Sequence, residues 1–326
     1  MVKVLTTIKE ETLDRVGIEA PEQLEFSHIE KGYSDREFIE KSKGAKFILM
    51  DLNPLNENIL KNLDGVELIQ VFGVGYDGID VKAAKRAGIP VANAQGVNKV
   101  SVSEHTIGLM LASLRRTAQA DKDVKDGRFK ESYKDYQIQG TRTLQSTKVG
   151  IIGLGDIGLE VVKRLEAFGP KVSYYSNTRK EDLEEKYNLE YLDFDRLLEQ
   201  ADIVTVHTPL TPSTENMLEA REFKLMKKDS ILINTARGEI INQKDLAVAL
   251  EKGEIGRAAL DTLSPEPPSQ DHPILNLGEE ARSKVILTPH IAGITTEDFE
   301  GMQRNAWENI SRVLEGKKAK NIVNGL

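Results

Sequence analysis

The sequence predicts an α/β protein made of two doubly wound domains, each built on a parallel sheet. Short runs of apolar and β-branched residues alternate with amphipathic stretches along the chain, which is typical of βαβ units. Apolar runs such as VGIIG, at residues 149–153, indicate strands that are covered on both faces. The chain has 326 residues, and at roughly 100 to 200 residues per domain this length favours two domains.

The predicted strands form two series. The first series covers residues 2–7, 46–51, 66–73 and 90–94. The second series begins at residues 148–155 and continues through the segments KVSYYS, DIVTVHTP, SILINTA, GRAALDT and KVILTPH. We expect each series to form a sheet of its own.

Three further segments set the predicted domain boundaries. Residues 101–120 have the apolar content of a helix that is buried against another domain or subunit, and residues 121–147 are predicted to be a polar surface excursion. Residues 296–314 carry apolar side chains at helical spacing, and we expect this helix to pack back on the first domain. The predicted domains are one of residues 1–98 and 292–326, and one of residues 99–291.

The composition argues against several classes of protein and site. The chain has 44 Lys and Arg against 52 Asp and Glu, a formal net charge of −8, so it has no overall basic footprint for nucleic acid or an anionic membrane. It contains no cysteine, which excludes disulfides and thiolate chemistry, and no clustered histidine spacing predicts a metal site. The N-terminal residues lack the apolar core of a signal peptide, and no run approaches about 18 apolar residues. We expect a soluble, cytoplasmic protein.

A glycine motif follows the predicted strand KVGII and precedes a helical stretch. Gly153, Gly155 and Gly158 have the spacing GxGxxG, with Asp156 and Ile157 in the same turn. In a Rossmann-like domain the first glycine permits the tight turn, the second lets a pyrophosphate approach the backbone, and the third lets the helix pack closely on the strand. The motif therefore predicts a dinucleotide site. The alternative is an ordinary glycine-rich turn.

The end of the next predicted strand bears on the choice of dinucleotide. An NAD site usually has an acidic residue there, which accepts a hydrogen bond from the ribose 2′-hydroxyl. This chain has Ser176, followed by Asn177, Thr178 and Arg179. The missing carboxylate and a possible charge-assisted bond from Arg179 to a 2′-phosphate favour NADP, with NAD as the alternative. Against NADP, arginine is common in surface loops and Asp156 adds a negative charge nearby.

Three side chains with complementary chemistry each follow a predicted strand. Arg237 lies in INTARGE, Glu266 in ALDTLSPEP and His290 in ILTPHIAG. Reduction of a keto acid needs a planar cation for the carboxylate and carbonyl, an acid for the alkoxide, and an anion that keeps this acid charged. Taken singly, each residue has a structural alternative: a helix cap, a turn between prolines and a strand-end histidine.

Together these segments resemble the D-isomer specific 2-hydroxyacid dehydrogenase family, and within it the glyoxylate/hydroxypyruvate reductases. The similarity extends over nearly the whole chain, through HTPLT at residues 207–211, NTARG, ALDxxxxEP and TPHIAG in the family's order. The resemblance implies that Arg237 binds the substrate, that His290 is the acid/base, and that Glu266 is the partner of this histidine. It also implies that residues 1–98 and 292–326 form the substrate domain, that residues 99–291 form the dinucleotide-binding domain, and that the active site lies in the cleft between them.

The resemblance implies further contacts and a partner. The backbone N–H groups of Val74 and Gly75 would hold the substrate carboxylate. The predicted cofactor site is completed by Asp261 and the carbonyl of Thr235 or Ala236 at the nicotinamide amide, and by His207, Thr208, Pro209, Arg237, His290 and Gly293. The family is typically dimeric, and residues 101–147 are predicted at the interface of a homodimer.

The chain departs from the family's pattern at positions that remove no catalytic group. Asp156 stands where the family usually has Arg, and Gly78 where Asn is usual. Formate dehydrogenases of the superfamily carry Gln in place of Glu266, so formate oxidation is not expected. Phosphoglycerate dehydrogenases tend to carry Arg in the segment that matches residues 50–56 and before the loop of residues 73–75, where this chain has no cation.

The predicted function is therefore the reduction of a small 2-oxo acid, glyoxylate or hydroxypyruvate first, to the D-2-hydroxy acid by hydride transfer from NAD(P)H. The alternatives are a D-lactate or other 2-oxo acid dehydrogenase of the same family and, in another class, a dinucleotide-sensing corepressor. No long low-complexity or basic tail favours the corepressor. The histidines His28, His105 and His272 are predicted to be structural.

Overall fold

The computed structural model describes residues 1–51 and 53–326. Leu52, within the cation-free segment of residues 50–56, lies outside the described residues. The chain divides into two compact units. The first unit is Met1–Asn98 with Ile294–Leu326, and the second unit is Lys99–Gly293.

Strands and helices alternate along both units. The strands are β1 Val2–Thr6, β2 Leu24–His28, β3 Ala45–Met50, β4 Leu68–Val71, β5 Val91–Ala92, β6 Lys148–Ile152, β7 Lys171–Tyr175, β8 Glu190–Tyr191, β9 Ile203–Val206, β10 Ile231–Asn234, β11 Arg257–Leu260 and β12 Val285–Leu287. The helices are α1 Glu10–Asp14, α2 Asp35–Ser42, α3 Glu57–Leu60, α4 Val81–Arg86, α5 Lys99–Arg115, α6 Thr117–Lys125, α7 Phe129–Gln139, α8 Asp156–Glu166, α9 Glu181–Tyr187, α10 Phe194–Gln200, α11 Ala220–Leu225, α12 Gln243–Lys252, α13 Glu279–Arg282 and α14 Thr296–Leu314. Short 3-10 turns lie at Leu144–Ser146, Gly238–Ile240 and Pro273–Asn276. Among the helices of the described residues, none combines the length and the apolar character that a membrane crossing needs.

The first unit is built on a parallel sheet with the strand order β2-β1-β3-β4-β5. One of its faces packs against α14, where Ala306 and Trp307 share a buried apolar cluster with Phe47 of β3. Thr295 and Asp298 start this helix as a capping box, in which each side chain accepts a hydrogen bond from the other's backbone N–H at 3.1 Å. The helix predicted over residues 296–314 has these bounds, and it packs on the sheet of the first unit.

The second unit is built on a parallel sheet with the strand order β12-β11-β10-β9-β6-β7-β8. Buried apolar clusters cover both of its faces. The order of the strands reverses between β6 and β9, and such a reversal opens a crevice at the carboxyl ends of the two strands. The predicted α/β class with two parallel sheets is confirmed.

Two edge strands were not predicted from the sequence. Only Leu24 is buried among the five residues of β2, and neither Glu190 nor Tyr191 of β8 is buried. Both strands close one edge of a sheet, so they carry no apolar run that would mark them.

The helix predicted over residues 101–120 needs correction. The predicted helix is broken at Arg116, which adopts a left-handed conformation with φ 50° and separates α5 from α6. Its guanidinium lies 4.0 Å from the ring centre of Tyr136 and donates to Gln139 at 2.9 Å, so the break is tied to α7. The polar excursion predicted over residues 121–147 contains part of α6 and all of α7, and neither helix has a buried residue.

Candidate active site

The glycine turn after β6 is shaped by its own chain at two positions and is open at the third. Gly153 has φ 95°, and a Cβ at this position would lie 2.6 Å from the carbonyl oxygen of His207. A Cβ at Gly158 would lie 2.3 Å from the carbonyl oxygen of Gly153. At Gly155, in contrast, a Cβ would meet no described atom within 4 Å. Packing therefore requires the first and third glycines, whereas the second leaves the space that a pyrophosphate needs.

Helix α8 begins directly behind this turn. Its N-cap is Gly155, which has no side chain to accept from the N–H groups of the first turn. Asp156 is exposed and Ile157 is half-buried in that turn. Free N–H groups and the positive end of the helix dipole bind anions. The turn and the helix together fit the pyrophosphate of a dinucleotide.

The end of β7 carries a small hydroxyl side chain in place of an acid. Ser176 follows β7 directly and is half-buried, while Asn177 and Thr178 after it are exposed. Because no carboxylate stands at this strand end, a ribose 2′-phosphate would meet no negative charge from residue 176.

Arg179 has a protein partner where a phosphate contact was predicted. Its Nε and Nη2 atoms donate to the two carboxylate oxygens of Glu184 at 2.9 and 2.8 Å. The hydroxyl of Tyr174 also donates to Glu184, at 2.7 Å. The hydrogen bonds from Arg179 and then Tyr174 lower the pKa of Glu184 to about 2. The phosphate contact of Arg179 stays a prediction, and it requires this side chain to leave a two-pronged ion pair.

His290 and Glu266 are in contact. Their Nδ1 and Oε2 atoms lie 2.7 Å apart, and about a third of each side chain is exposed. The hydrogen bond with Glu266 raises the pKa of His290 against the opposing effect of burial. Burial alone would raise the pKa of Glu266, but the hydrogen bond and charge of His290 outweigh it and lower this pKa. The pair is therefore charged at a higher pH than an isolated histidine would allow.

The segment after β10 brings Arg237 near this pair. A Cβ at Gly238 would lie 2.2 Å from the carbonyl carbon of Leu263, whose N–H donates to Oε1 of Glu266 at 3.0 Å. The positive charge of Arg237 lowers the pKa of Glu266 and opposes the rise in the pKa of His290. The three residues predicted to be catalytic therefore act on one another electrostatically.

The backbone at His290 is held in a conformation that few residues adopt. Its φ is 54°, and its N–H donates to the carbonyl oxygens of Asp261 at 2.8 Å and Thr288 at 3.0 Å. The carboxylate of Asp261 accepts from the N–H groups of Ile291 and Ala292, both at 3.0 Å. Backbone strain of this kind persists where surrounding bonds over-determine it, and it clusters at functional sites.

The predicted contact between Asp261 and a nicotinamide amide stays a prediction, and the structure shows which partners this carboxylate has within the chain. The side chain of Asp261 has no exposed surface, and it accepts a further bond from the hydroxyl of Thr288 at 2.5 Å. His105 Nε2 lies 3.1 Å from the same hydroxyl oxygen. Because its oxygens already accept from the chain, Asp261 serves to hold the segment after His290. His105, predicted to be structural, belongs to this network. The partners of His105 and Asp261 could not be identified from the sequence, because they lie on three separate segments.

The remaining predicted cofactor residues follow β9, β10 and β12. Their locations are His207, Thr208 and Pro209 after β9, Thr235 and Ala236 after β10, and Gly293 after β12. His207 Nε2 lies 2.9 Å from Thr205 Oγ1, and burial lowers the pKa of His207 to about 3. His207 is therefore neutral at physiological pH. Of His207 and His290, only His290 is suited to donate a proton.

A cation from an earlier part of the chain, Lys31, lies beside Asp51 in the segment of residues 50–56. Lys31 Nζ lies 3.0 Å from Oδ2 of Asp51, and both side chains are largely exposed. A Cβ at Gly78 would lie 2.9 Å from the carbonyl oxygen of Asn53, so a larger residue such as Asn would clash there. The contact between Lys31 and Asp51 joins two separate segments, so the local sequence could not show it. The clash with Asn53 explains why Gly78 stands where Asn was expected.

A family model matches residues 107–292 of the chain. Its description is D-isomer specific 2-hydroxyacid dehydrogenase, NAD binding domain. The chain belongs to this family. The predicted family and enzyme class are confirmed, and the protein is an NAD(P)-dependent D-2-hydroxyacid dehydrogenase.

The dehydrogenase is similar to proteins named for different substrates. A glyoxylate reductase from Korarchaeum cryptofilum is 33% identical over 94% of this chain and 91% of the relative. A D-3-phosphoglycerate dehydrogenase from Methanocaldococcus jannaschii is 36% identical over 99% of this chain, which spans 60% of that relative's length. A solved structure of an NADPH-dependent glyoxylate/hydroxypyruvate reductase from Sinorhizobium meliloti, with NADP and malonate, has a TM-score of 0.84 and 28% identity, over 99% of this chain and 96% of that chain.

Proposed function

We propose that this dehydrogenase reduces a small, unphosphorylated 2-oxo acid of the glyoxylate or hydroxypyruvate type to the D-2-hydroxy acid. The observation that carries the proposal is the 2.7 Å contact between His290 and Glu266. A histidine whose pKa is raised by a carboxylate is protonated near neutral pH and can give its proton to a carbonyl oxygen. The relatives that are named glyoxylate reductase support this substrate class.

Each side chain of the catalytic group has one task in the proposed reaction. A nicotinamide, when bound, supplies the hydride that reduces the carbonyl carbon. Nε2 of His290 donates a proton to the carbonyl oxygen, while Glu266 binds Nδ1, orients the ring and stabilises its charge. The guanidinium of Arg237 offers paired N–H donors to the carboxylate and carbonyl of the substrate.

The two units have different tasks in this proposal. The second unit binds the dinucleotide, with its pyrophosphate at Gly155 and the N-terminus of α8. The other proposed cofactor contacts in this unit are Gly153, Asp156, Ile157, Gly158, Ser176, Asn177, Thr178, His207, Thr208, Pro209, Thr235, Ala236, Arg237, Asp261, His290 and Gly293. The first unit holds the substrate carboxylate at the N–H groups of Val74 and Gly75.

We propose a preference for NADPH over NADH. The preference rests on Ser176, which neither repels a 2′-phosphate nor accepts as strongly as a carboxylate from a 2′-hydroxyl. Arg179 adds to it only when it leaves Glu184. The NADPH-dependent reductase among the similar structures supports this choice.

A phosphorylated substrate is disfavoured by the charges of the first unit. Lys31 is a cation beside Asp51, and the Asp51 carboxylate, 3.0 Å away, already neutralises its charge. A phosphate buried without a cation would lose its hydration without compensation, at a cost of several kcal/mol (roughly).

We also propose a homodimer through residues 101–147. Large apolar side chains are exposed on α6 and α7, namely Val124 at 52%, Phe129 at 61%, Tyr133 at 59% and Ile138 at 74%. Exposed apolar surface of this extent is typical of protein interfaces. Light scattering should give twice the mass of one chain, and Ile138→Glu should weaken the association.

One panel of substrates tests the proposed activity. We would measure kcat/KM for glyoxylate, hydroxypyruvate, pyruvate and phosphohydroxypyruvate, each with NADH and with NADPH. Glyoxylate or hydroxypyruvate with NADPH is expected to have the highest value. If phosphohydroxypyruvate exceeds hydroxypyruvate by about tenfold, the substrate class is wrong, and if no 2-oxo acid is reduced, the activity is wrong.

A further inference from the structure

We infer that Asn93 is a positioning residue, which turns the backbone N–H groups of Val74 and Gly75 toward the substrate carboxylate. The inference rests on the proposed function and adds to it a residue that the sequence did not single out. It comes from the hydrogen bonds of the loop that follows β4 in the first unit.

The loop has two successive carbonyl groups bound on the same side. The carbonyl oxygen of Gly73 accepts from the backbone N–H of Ala94 at 3.0 Å. The carbonyl oxygen of Val74 accepts from the side-chain amide of Asn93 at 2.6 Å. Both acceptors are therefore bound by adjacent residues just after β5.

These two bonds determine where the neighbouring N–H groups point. In a trans peptide the C=O and the N–H point in opposite directions. The bond to Gly73 therefore directs the N–H of Val74 away from residues 93–94, and the bond to Val74 does the same for the N–H of Gly75. Successive N–H groups that point outward together form a concave anion site.

The two N–H groups are available to a ligand. Val74 and Gly75 are both partly exposed. Within residues 1–51 and 53–326, neither N–H donates to a protein acceptor. A substrate carboxylate has two oxygens, one for each donor.

Of the two polar atoms of the Asn93 side chain, only the amide nitrogen has a hydrogen-bond partner among the described residues. Asn93 is 3% exposed, and its Oδ1 atom is buried with no hydrogen-bond partner among the described residues. A buried polar atom without a partner costs stability. Folding alone does not account for an amide in this place, whereas the need to hold the Val74 carbonyl does.

The experiment compares Asn93→Ala with a matched buried asparagine of the same unit. Asn324 is 7% exposed, donates to the carbonyl of Ile89 at 2.8 Å and accepts from the N–H of Val91 at 3.2 Å. Asn93→Ala should raise KM for the best 2-oxo acid and Ki for oxalate by about tenfold, with kcat and the KM of the cofactor changed by less than about threefold. Asn324→Ala should lower the melting temperature and leave both constants unchanged.

A second variant covers the case in which Asn93→Ala does not fold. Asn93→Asp keeps the shape of the side chain but puts a carboxylate oxygen where the amide donates, so it should raise the same KM and Ki. If folded variants at this position keep the KM and Ki of the unmodified enzyme, the inference is wrong while the proposed activity stands. If the unmodified enzyme reduces no 2-oxo acid, the proposed function itself is wrong.

Discussion

Glu184 and Glu266 each hold a basic side chain in the second unit, yet the two pairs suit different purposes. Glu184 accepts both prongs of Arg179 at 2.9 and 2.8 Å, and its side chain is 15% exposed. Glu266 accepts one bond from His290 at 2.7 Å, and its side chain is 37% exposed. Arginine stays charged at every physiological pH, so the first pair cannot take up or release a proton. Histidine titrates near neutrality, so the second pair can.

The difference shows that an ion pair is no sign of function by itself. The pKa of Glu184 is lowered to about 2 by its hydrogen bonds from Arg179 and Tyr174, and the pair braces the segment between β7 and α9. In the other pair the carboxylate raises the pKa of the partner that has to carry the proton. What matters is which member titrates in the working range of pH.

The largest effect on turnover is expected from replacing His290, the residue of the second pair that titrates. His290→Gln should lower kcat for 2-oxo acid reduction by on the order of 10² to 10⁴, because general acid catalysis is lost. Dissociation constants for the cofactor, measured by fluorescence titration, should stay close to those of the unmodified enzyme. Arg179→Gln is the matched control in the first pair and should leave kcat at saturating cofactor within about threefold. Turnover of His290→Gln near the original rate would contradict the role of this residue.

A smaller effect, with a change in pH dependence, is expected from Glu266→Gln. The unmodified enzyme should lose reductase activity as the pH rises through the raised pKa of His290, because the reaction needs the protonated ring. Without the carboxylate that pKa falls, so the decline should begin at a lower pH and kcat should drop by roughly one to two orders of magnitude. The measurement is kcat/KM from pH 5 to 10 under conditions where chemistry limits the rate. Profiles that coincide for the two enzymes would show that Glu266 does not set this pKa.

Ser176, which lies three residues before Arg179 of the first pair, is expected to affect the choice of cofactor. Ser176→Asp should reduce the ratio of kcat/KM for NADPH to that for NADH by about tenfold or more, because the new carboxylate repels a 2′-phosphate. Asn has the shape of Asp without its charge, so Ser176→Asn should change this ratio much less. A ratio that favours NADH already in the unmodified enzyme would show that the lack of an acid at residue 176 is not enough to select NADPH.

The smallest effect, on the KM for NADPH, is expected from removing the charge of Glu184 from its ion pair with Arg179. Glu184→Gln removes the charge that holds Arg179, which then becomes free to contact a 2′-phosphate. The KM for NADPH should fall by about threefold while the KM for NADH stays unchanged. Since the side chain of Arg179 is more than half exposed, a larger change is not expected. An equal change for both cofactors would instead point to a rearrangement of the segment after β7.

Much of the fold and the site followed from local sequence. The central strands were predicted because each is a continuous apolar run, and the capped helix Thr296–Leu314 because its apolar side chains repeat at helical spacing. The edge strand Leu24–His28 was missed because only one of its residues is buried. The break at Arg116 was missed because it depends on α7, which follows later in the chain.

The sequence by itself determined which side chains stand at the ends of strands, since strand and turn patterns are local properties of neighbouring residues. The glycine turn, Arg237, Glu266 and His290 were all placed in this way. Only the tertiary structure decided which partners these and other groups meet. Arg179 is bound to Glu184, the Asp261 carboxylate is enclosed by the N–H groups of Ile291 and Ala292, and Asn93 holds the carbonyl of Val74. A hydrogen bond depends on tenths of an ångström between segments that chain order does not relate, and that distance exists only once the sheets have packed.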